Sequence, residues 1–90
     1  MRLSKETYDE RMMYIIGAFL RLVYRDNVPA ENIAVRVLVK QYGFTNNFSK
    51  TAELKHALVN MKVWIDRERV RTKQSPSPER MLNFIKVHMK

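Results

Sequence analysis

The chain has 90 residues, 46% of them hydrophobic, and 17 Lys and Arg against 9 Asp and Glu leave a net charge of +8. That size and apolar content describe one globular domain, not several and not a disordered chain. The absence of cysteine excludes a disulfide framework and a thiolate metal site. With only two glycines and three prolines, an all-β domain with many tight turns and a glycine-rich phosphate loop are both disfavoured.

Ser4 or Thr7 can cap a first helix, and Thr7 with Glu10 three residues later fits a capping box. Glu6 and Asp9 place negative charge where the helix dipole favours it. From Met12 to Tyr24 only Arg21 is charged, and Tyr8, Met12, Ile15, Ile16, Phe19, Leu22 and Val23 recur at helical spacing. Met13, Tyr14, Ala18 and Leu20 occupy the other faces. A helix apolar nearly all round is expected to be buried all round. Met12, Ile15, Ile16, Phe19, Leu20 and Val23 are therefore expected to form the core or a dimer seam, with Gly17 and Ala18 admitting a close backbone. So small a chain cannot easily cover such a helix from within, which predicts a homodimer. The run is thirteen residues, closed by Arg21 and Arg25, where a membrane span needs about twenty. Glu6, Asp9 and Glu10 before it are unlike a signal peptide. A protein without a membrane segment, in the reducing cytoplasm, is the expectation.

The next element spans about Pro29 to Tyr42. Asn27 suits a cap, Pro29 a first turn, and Gly43 a stop. Its interior fits two patterns. Ile33, Val35, Val37 and Val39 alternate as in a strand, which would make the domain α+β and winged-helix-like with a strand at 33–39. Ile33, Ala34, Val37, Leu38 and Gln41 fit a helix, and the start and stop signals agree with it. A polar turn follows, with Phe44 and Phe48 anchored inward.

A third helix is predicted from Ser49 or Thr51 through Arg71, with Leu54, Ala57, Leu58, Met61, Trp64 and Ile65 on one face. The alternative is a break near Asn60 and a β-hairpin arm over 62–70. Residues 74–77 form a short linker. Ser77 then caps a last helix that Pro78 opens, on which Met81, Phe84, Ile85 and His88 share a face. The expected fold is a single all-α domain of four helices.

The charge is unevenly placed. From Met1 to Val35 five basic and five acidic residues cancel, while from Arg36 to Lys90 twelve basic and four acidic leave the whole +8. This asymmetry implies an anionic partner. Two constellations could serve it. The turn after Val39 and Gly43 resembles a helix-turn-helix, in which Thr45, Asn46, Asn47, Ser49 and Lys50 would face bases and phosphates. It departs from that motif in a larger Val39 and a polar Ser49. The second constellation is a stripe. Lys55, Lys62 and Arg69 recur every seven residues along one helix edge, about 10 Å apart, and Arg67, Arg71 and Lys73 extend the charge. Such a row neutralises phosphates without reading sequence, although Lys62 with Asp66 also fits an ordinary helical ion pair. Trp64 is expected in the core.

Nucleic acid is the expected partner, DNA ahead of RNA, bound by a small regulator of prokaryotic or phage type. The rival is a non-enzymatic adaptor or inhibitor that engages an acidic protein. No cofactor, metal or catalytic residue is expected: the two histidines have no metal-ligand spacing, and Asp66 and Glu68 fall on different helix faces.

Overall fold

The computed structural model describes residues 4–44 and 50–89. Four helices follow in chain order: α1 (Lys5–Leu20), α2 (Val35–Gln41), α3 (Thr51–Thr72) and α4 (Pro78–His88). A π-helical turn, Arg21–Arg25, continues α1, and a 3-10 turn, Ala30–Asn32, precedes α2. No strand occurs among the described residues, so neither the strand at 33–39 nor the hairpin at 62–70 forms.

Ser4 caps α1, accepting the Thr7 backbone N–H at 3.2 Å and donating its own hydroxyl to Thr7 Oγ1 at 2.8 Å. Thr7 thus lies inside the first turn, and the Thr7–Glu10 capping box gives way to a cap one turn earlier. Met12, Ile15, Ile16, Phe19 and Val23 are buried, whereas Leu20 is only half-buried. The helix is not covered all round. Glu10, Tyr14, Gly17 and Arg21 form an exposed edge, and Tyr14 is 56% exposed. The chain therefore covers the core stripe itself, with α4 packed against both α1 and α3.

At Arg21 the hydrogen-bond ladder widens, and the Asp26 N–H reaches back five residues to the Arg21 carbonyl. Asn27 then adopts a left-handed φ of 56°, and Val28 N–H closes onto the Leu22 carbonyl. Asn tolerates this conformation better than most residues. Asn27 therefore terminates the first helix and does not cap the second.

The predicted helix from Pro29 to Tyr42 is broken at Ile33 and Ala34. Ile33 is extended, and Val35 N–H bonds the Ile33 carbonyl across Ala34, an inverse γ-turn. The reason is burial. Ile33 and Val35 are both buried, yet two residues apart on one helix they would point to opposite sides. The alternation that reads as a strand is met by a kink. α2 then buries Val35, Leu38 and Val39, and Val37, expected on the inner face, is 60% exposed. Gly43 ends α2 in a Schellman closure: Phe44 N–H donates to the Val39 carbonyl and Gly43 N–H to the Lys40 carbonyl. Phe44 is buried as expected and meets Tyr8 edge-on at 5.3 Å. Phe48 lies outside the described residues.

α3 is continuous for 22 residues, about 33 Å. It buries Leu54, Ala57, Leu58, Met61, Ile65 and Glu68 on one stripe. Residues 74–77 are held on both sides. Arg69 Nε donates to Ser75 Oγ at 2.7 Å, Thr72 Oγ1 to the Gln74 carbonyl at 3.1 Å, and Ser77 Oγ accepts the Arg80 N–H at 3.2 Å.

The two glycines carry opposite expectations. A Cβ at Gly17 meets nothing within 4 Å, whereas one at Gly43 (φ +86°) meets the Arg11 guanidinium carbon at 3.2 Å. Gly17→Ala should stabilise the fold by about 0.5–1 kcal/mol through helix propensity. Gly43→Ala should destabilise it by roughly 1–2 kcal/mol through left-handed strain. Urea midpoints for the two variants check both signs.

Candidate nucleic-acid interface

The basic residues of α3 divide between its two flanks. On the first, Lys55, Lys62 and Arg69 keep their seven-residue register and run beside the buried stripe. Lys55 is exposed and lines a shallow groove with Glu31, Ala52, His56 and Val59. Lys62 pairs with Asp66 at 2.7 Å, the helical ion pair expected for this spacing. Tyr24, placed here by the π turn, donates its hydroxyl to Asp66 Oδ1 at 2.7 Å. Its ring lies beneath the Arg69 guanidinium at 4.2 Å, with Lys62 Nζ 6.0 Å from the ring centre. Burial, the Asp66 hydrogen bond and the Asp66 charge push the Tyr24 hydroxyl pKa up, against the Arg69 charge. Burial raises the Asp66 carboxyl, but Lys62, the Tyr24 hydroxyl and Arg69 outweigh it and hold the group below its ordinary value.

On the second flank, facing α4, Glu68 is buried at 11% side-chain exposure between two guanidiniums. Arg71 Nε and Nη2 donate to its two oxygens at 2.8 and 3.1 Å, and Arg80 Nη2 donates at 3.0 Å. Hydrogen bonds from Arg71 and then Arg80 hold the Glu68 carboxyl down at about 2. Arg71, expected to extend the stripe, thus lies on the other side of the helix and pairs with Glu68 of its own helix, while Arg80 of α4 makes the clasp between the two helices. Trp64, expected in the core, is half-buried on this flank. It stacks on Phe84 at 4.8 Å, with Arg80 5.3 Å from its ring centre. The apolar stripe passes through Met61 and Ile65, and Trp64 stands at its edge.

Of the remaining candidates, Arg67 is exposed on the outer side of α3, and no described side chain forms an ion pair with it. The same holds for Lys73, which ends α3 in a left-handed turn (φ 64°), and for Lys50, the exposed residue that precedes α3. Thr45, Asn46, Asn47 and Ser49 lie outside the described residues. The helix-turn-helix expectation falls mostly on these residues. Two cations are not evident from the sequence pattern. Arg36 and Lys40 are exposed, four apart on the outer side of α2, and lack ion pairs among the described residues. Their spacing becomes informative only once α2 starts at Val35.

No helix among the described residues is long and apolar enough to cross a membrane. Comparisons with protein-family models, curated proteins and solved structures give no match.

The Glu68 clasp predicts a pH signature. A carboxyl held at about 2 against an ordinary 4.5 contributes stability that is complete above 4.5 and lost as pH falls toward 2. Glu68→Gln should lower the urea midpoint at neutral pH, and the gap to wild type should close across that acid window. A gap independent of pH would assign the clasp no electrostatic role.

Proposed function

We propose that the chain is a small, non-enzymatic nucleic-acid-binding protein, a DNA-binding regulator in the first instance. The observation that carries this reading is the set of exposed cations without described ion pairs, Arg36, Lys40, Lys50, Lys55, Arg67 and Lys73, in a chain of net +8. Cations without protein partners are free to displace counterions from phosphates. Lys62 and Arg69 add charge already fixed in place by Tyr24 and Asp66. Any reading of base sequence is assigned to Thr45, Asn46, Asn47 and Lys50, with side-chain amides suited to adenine.

Charge reversal of Lys55, Arg67 and Lys73 to Glu tests the phosphate contacts without touching the Tyr24 cluster or the Glu68 clasp. Affinity should fall on every DNA sequence. The slope of log affinity against log salt should flatten by roughly two to three, near 0.9 for each duplex phosphate that is no longer neutralised. Unchanged affinity and slope in fluorescence anisotropy would reduce these cations to a solvated surface. Absence of any nucleic-acid binding at low salt would overturn the proposal and favour the rival, an acidic protein partner.

The homodimer belongs to the same proposal. Since Met12, Ile15, Ile16 and Phe19 are covered within the chain, the seam must use the other side of α1, where exposed Tyr14 and Gly17 adjoin half-buried Met13 and Leu20. Sedimentation equilibrium should give twice the chain mass, and Gly17→Trp should return it to the monomer. A monomeric wild type would overturn this seam.

A further inference from the structure

The α3–α4 flank carries a feature that phosphate neutralisation does not use. Trp64, Phe84 and His88 form a ladder of nearly parallel rings, with Trp64 to Phe84 at 4.8 Å and 15° and Phe84 to His88 at 3.9 Å and 15°. His88 is its exposed member, and its Nδ1 lies 2.9 Å from the Phe84 carbonyl oxygen. These rings, with Arg80, Asn83 and Val87, line an open groove of about 250 Å³. That is below the roughly 300–1,000 Å³ of sites that enclose a whole small molecule, and it suits one planar ring entering from a longer ligand.

The groove has a distinct electrostatic character. None of its lining residues is acidic. Arg67 and Arg71 follow Trp64 by three and seven residues, so both stand on its side of α3. Of the two carboxylates on these helix faces, Glu79 precedes Arg80 in α4, and Glu68 is shared by two guanidiniums whose side chains remain 70% and 56% exposed, so with Arg67 the guanidiniums outnumber the carboxylates. Aromatic faces for a base, an exposed amide at Asn83 for its edge, and guanidiniums for the flanking phosphates are the parts of a single-strand site. Paired bases in an undistorted duplex expose only their edges, so a stacking face serves an unpaired base and not a regular duplex.

We propose that this groove binds an unpaired base of a single-stranded nucleic acid, which adds to the ring ladder at His88 while phosphates further along the strand, past Trp64, meet Arg67 and Arg71. The proposal rests on the nucleic-acid reading above and adds the strand state that the α3–α4 face recognises.

The test uses the full chain with three probes: a short oligothymidylate, a duplex of mixed sequence, and inorganic polyphosphate, which offers charge without bases. Ring-proton resonances of Trp64, Phe84 and His88 report the groove, and anisotropy or competition reports affinity. Oligothymidylate should shift all three sets of resonances, and polyphosphate should leave them in place. His88→Ala should weaken single-strand binding about tenfold, within the range for loss of one stacked base, and leave duplex and polyphosphate affinity unchanged. His88→Phe, which keeps a ring, should restore it. Saturating oligothymidylate with unmoved ring resonances would overturn the groove while leaving the nucleic-acid reading intact. An equal loss on all three probes in His88→Ala would do the same. No binding to any probe at low salt would overturn both.

Discussion

α3 buries one narrow stripe, and the rest of the molecule is arranged by it. Leu54, Leu58, Met61 and Ile65 are fully buried along this helix, against an α1 stripe of Met12, Ile15 and Phe19 that is equally inaccessible. Each such side chain contributes about 1.5–3 kcal/mol on leaving water, and a chain of 90 residues has few other sources of stability. A stripe this narrow leaves two flanks and an outer face. One flank meets Tyr24 and the turn after α1, the other meets α4, and the outer face carries residues that no described part of the chain covers. Where a cation falls on α3 therefore decides whether it ties elements together, is held in place by a neighbour or is left open to solvent.

The π turn at Arg21–Arg25 is what joins the first flank to the scaffold. Widening the ladder by one residue turns Tyr24 toward α3, where its hydroxyl reaches Asp66 and its ring faces Arg69. Half-exposed ion pairs such as Lys62–Asp66 contribute little to stability. Their effect here is geometric: a side chain held at one place would lose less freedom on meeting a phosphate of the proposed partner. Lys55, with no such neighbour, keeps its freedom. The first flank thus combines a fixed pair of cations with a free one.

Much of this architecture is legible in the residues, and the misses have physical causes. The α1 and α3 stripes follow from three- and four-residue spacing alone, and Ser77-Pro78 marks the start of α4 unambiguously. The segment from Pro29 to Tyr42 defeats periodicity because burial of both Ile33 and Val35 requires a kink, and a kink has no period. Asn27 stands between two helices and could serve either; only the left-handed backbone assigns it to the first. Charge misleads differently. Seven-residue spacing places Lys55, Lys62 and Arg69 correctly, but proximity in sequence groups Arg71 with them. On a helix two residues move a side chain by about 200°, which carries Arg71 from the flank of Arg69 to that of Trp64. Trp64 itself reads as core because its neighbours are apolar, although it lies at the stripe's edge.

The distribution of acids explains why the positive field survives folding. Beyond Val35 the chain has four, Glu53, Asp66, Glu68 and Glu79. Asp66 and Glu68 are both engaged by cations of α3 and α4. Lys86 is neutralised from the N-terminal third, its Nζ 2.8 Å from each carboxylate oxygen of Asp9. Each acid placed at the core boundary fixes a basic side chain on the same helix or ties two helices together. None of these three lies free on the surface to oppose an incoming anion. The pairs leave a net +4 on α2 and α3, and Lys50 and Lys73 at the two ends of α3 raise it to +6 of the total +8. Such a surface would meet the anionic partner proposed above without a dedicated loop. Glu53 and Glu79 stay exposed, but Asp9, Asp66 and Glu68 are each held against a basic side chain and do not face an incoming anion alone.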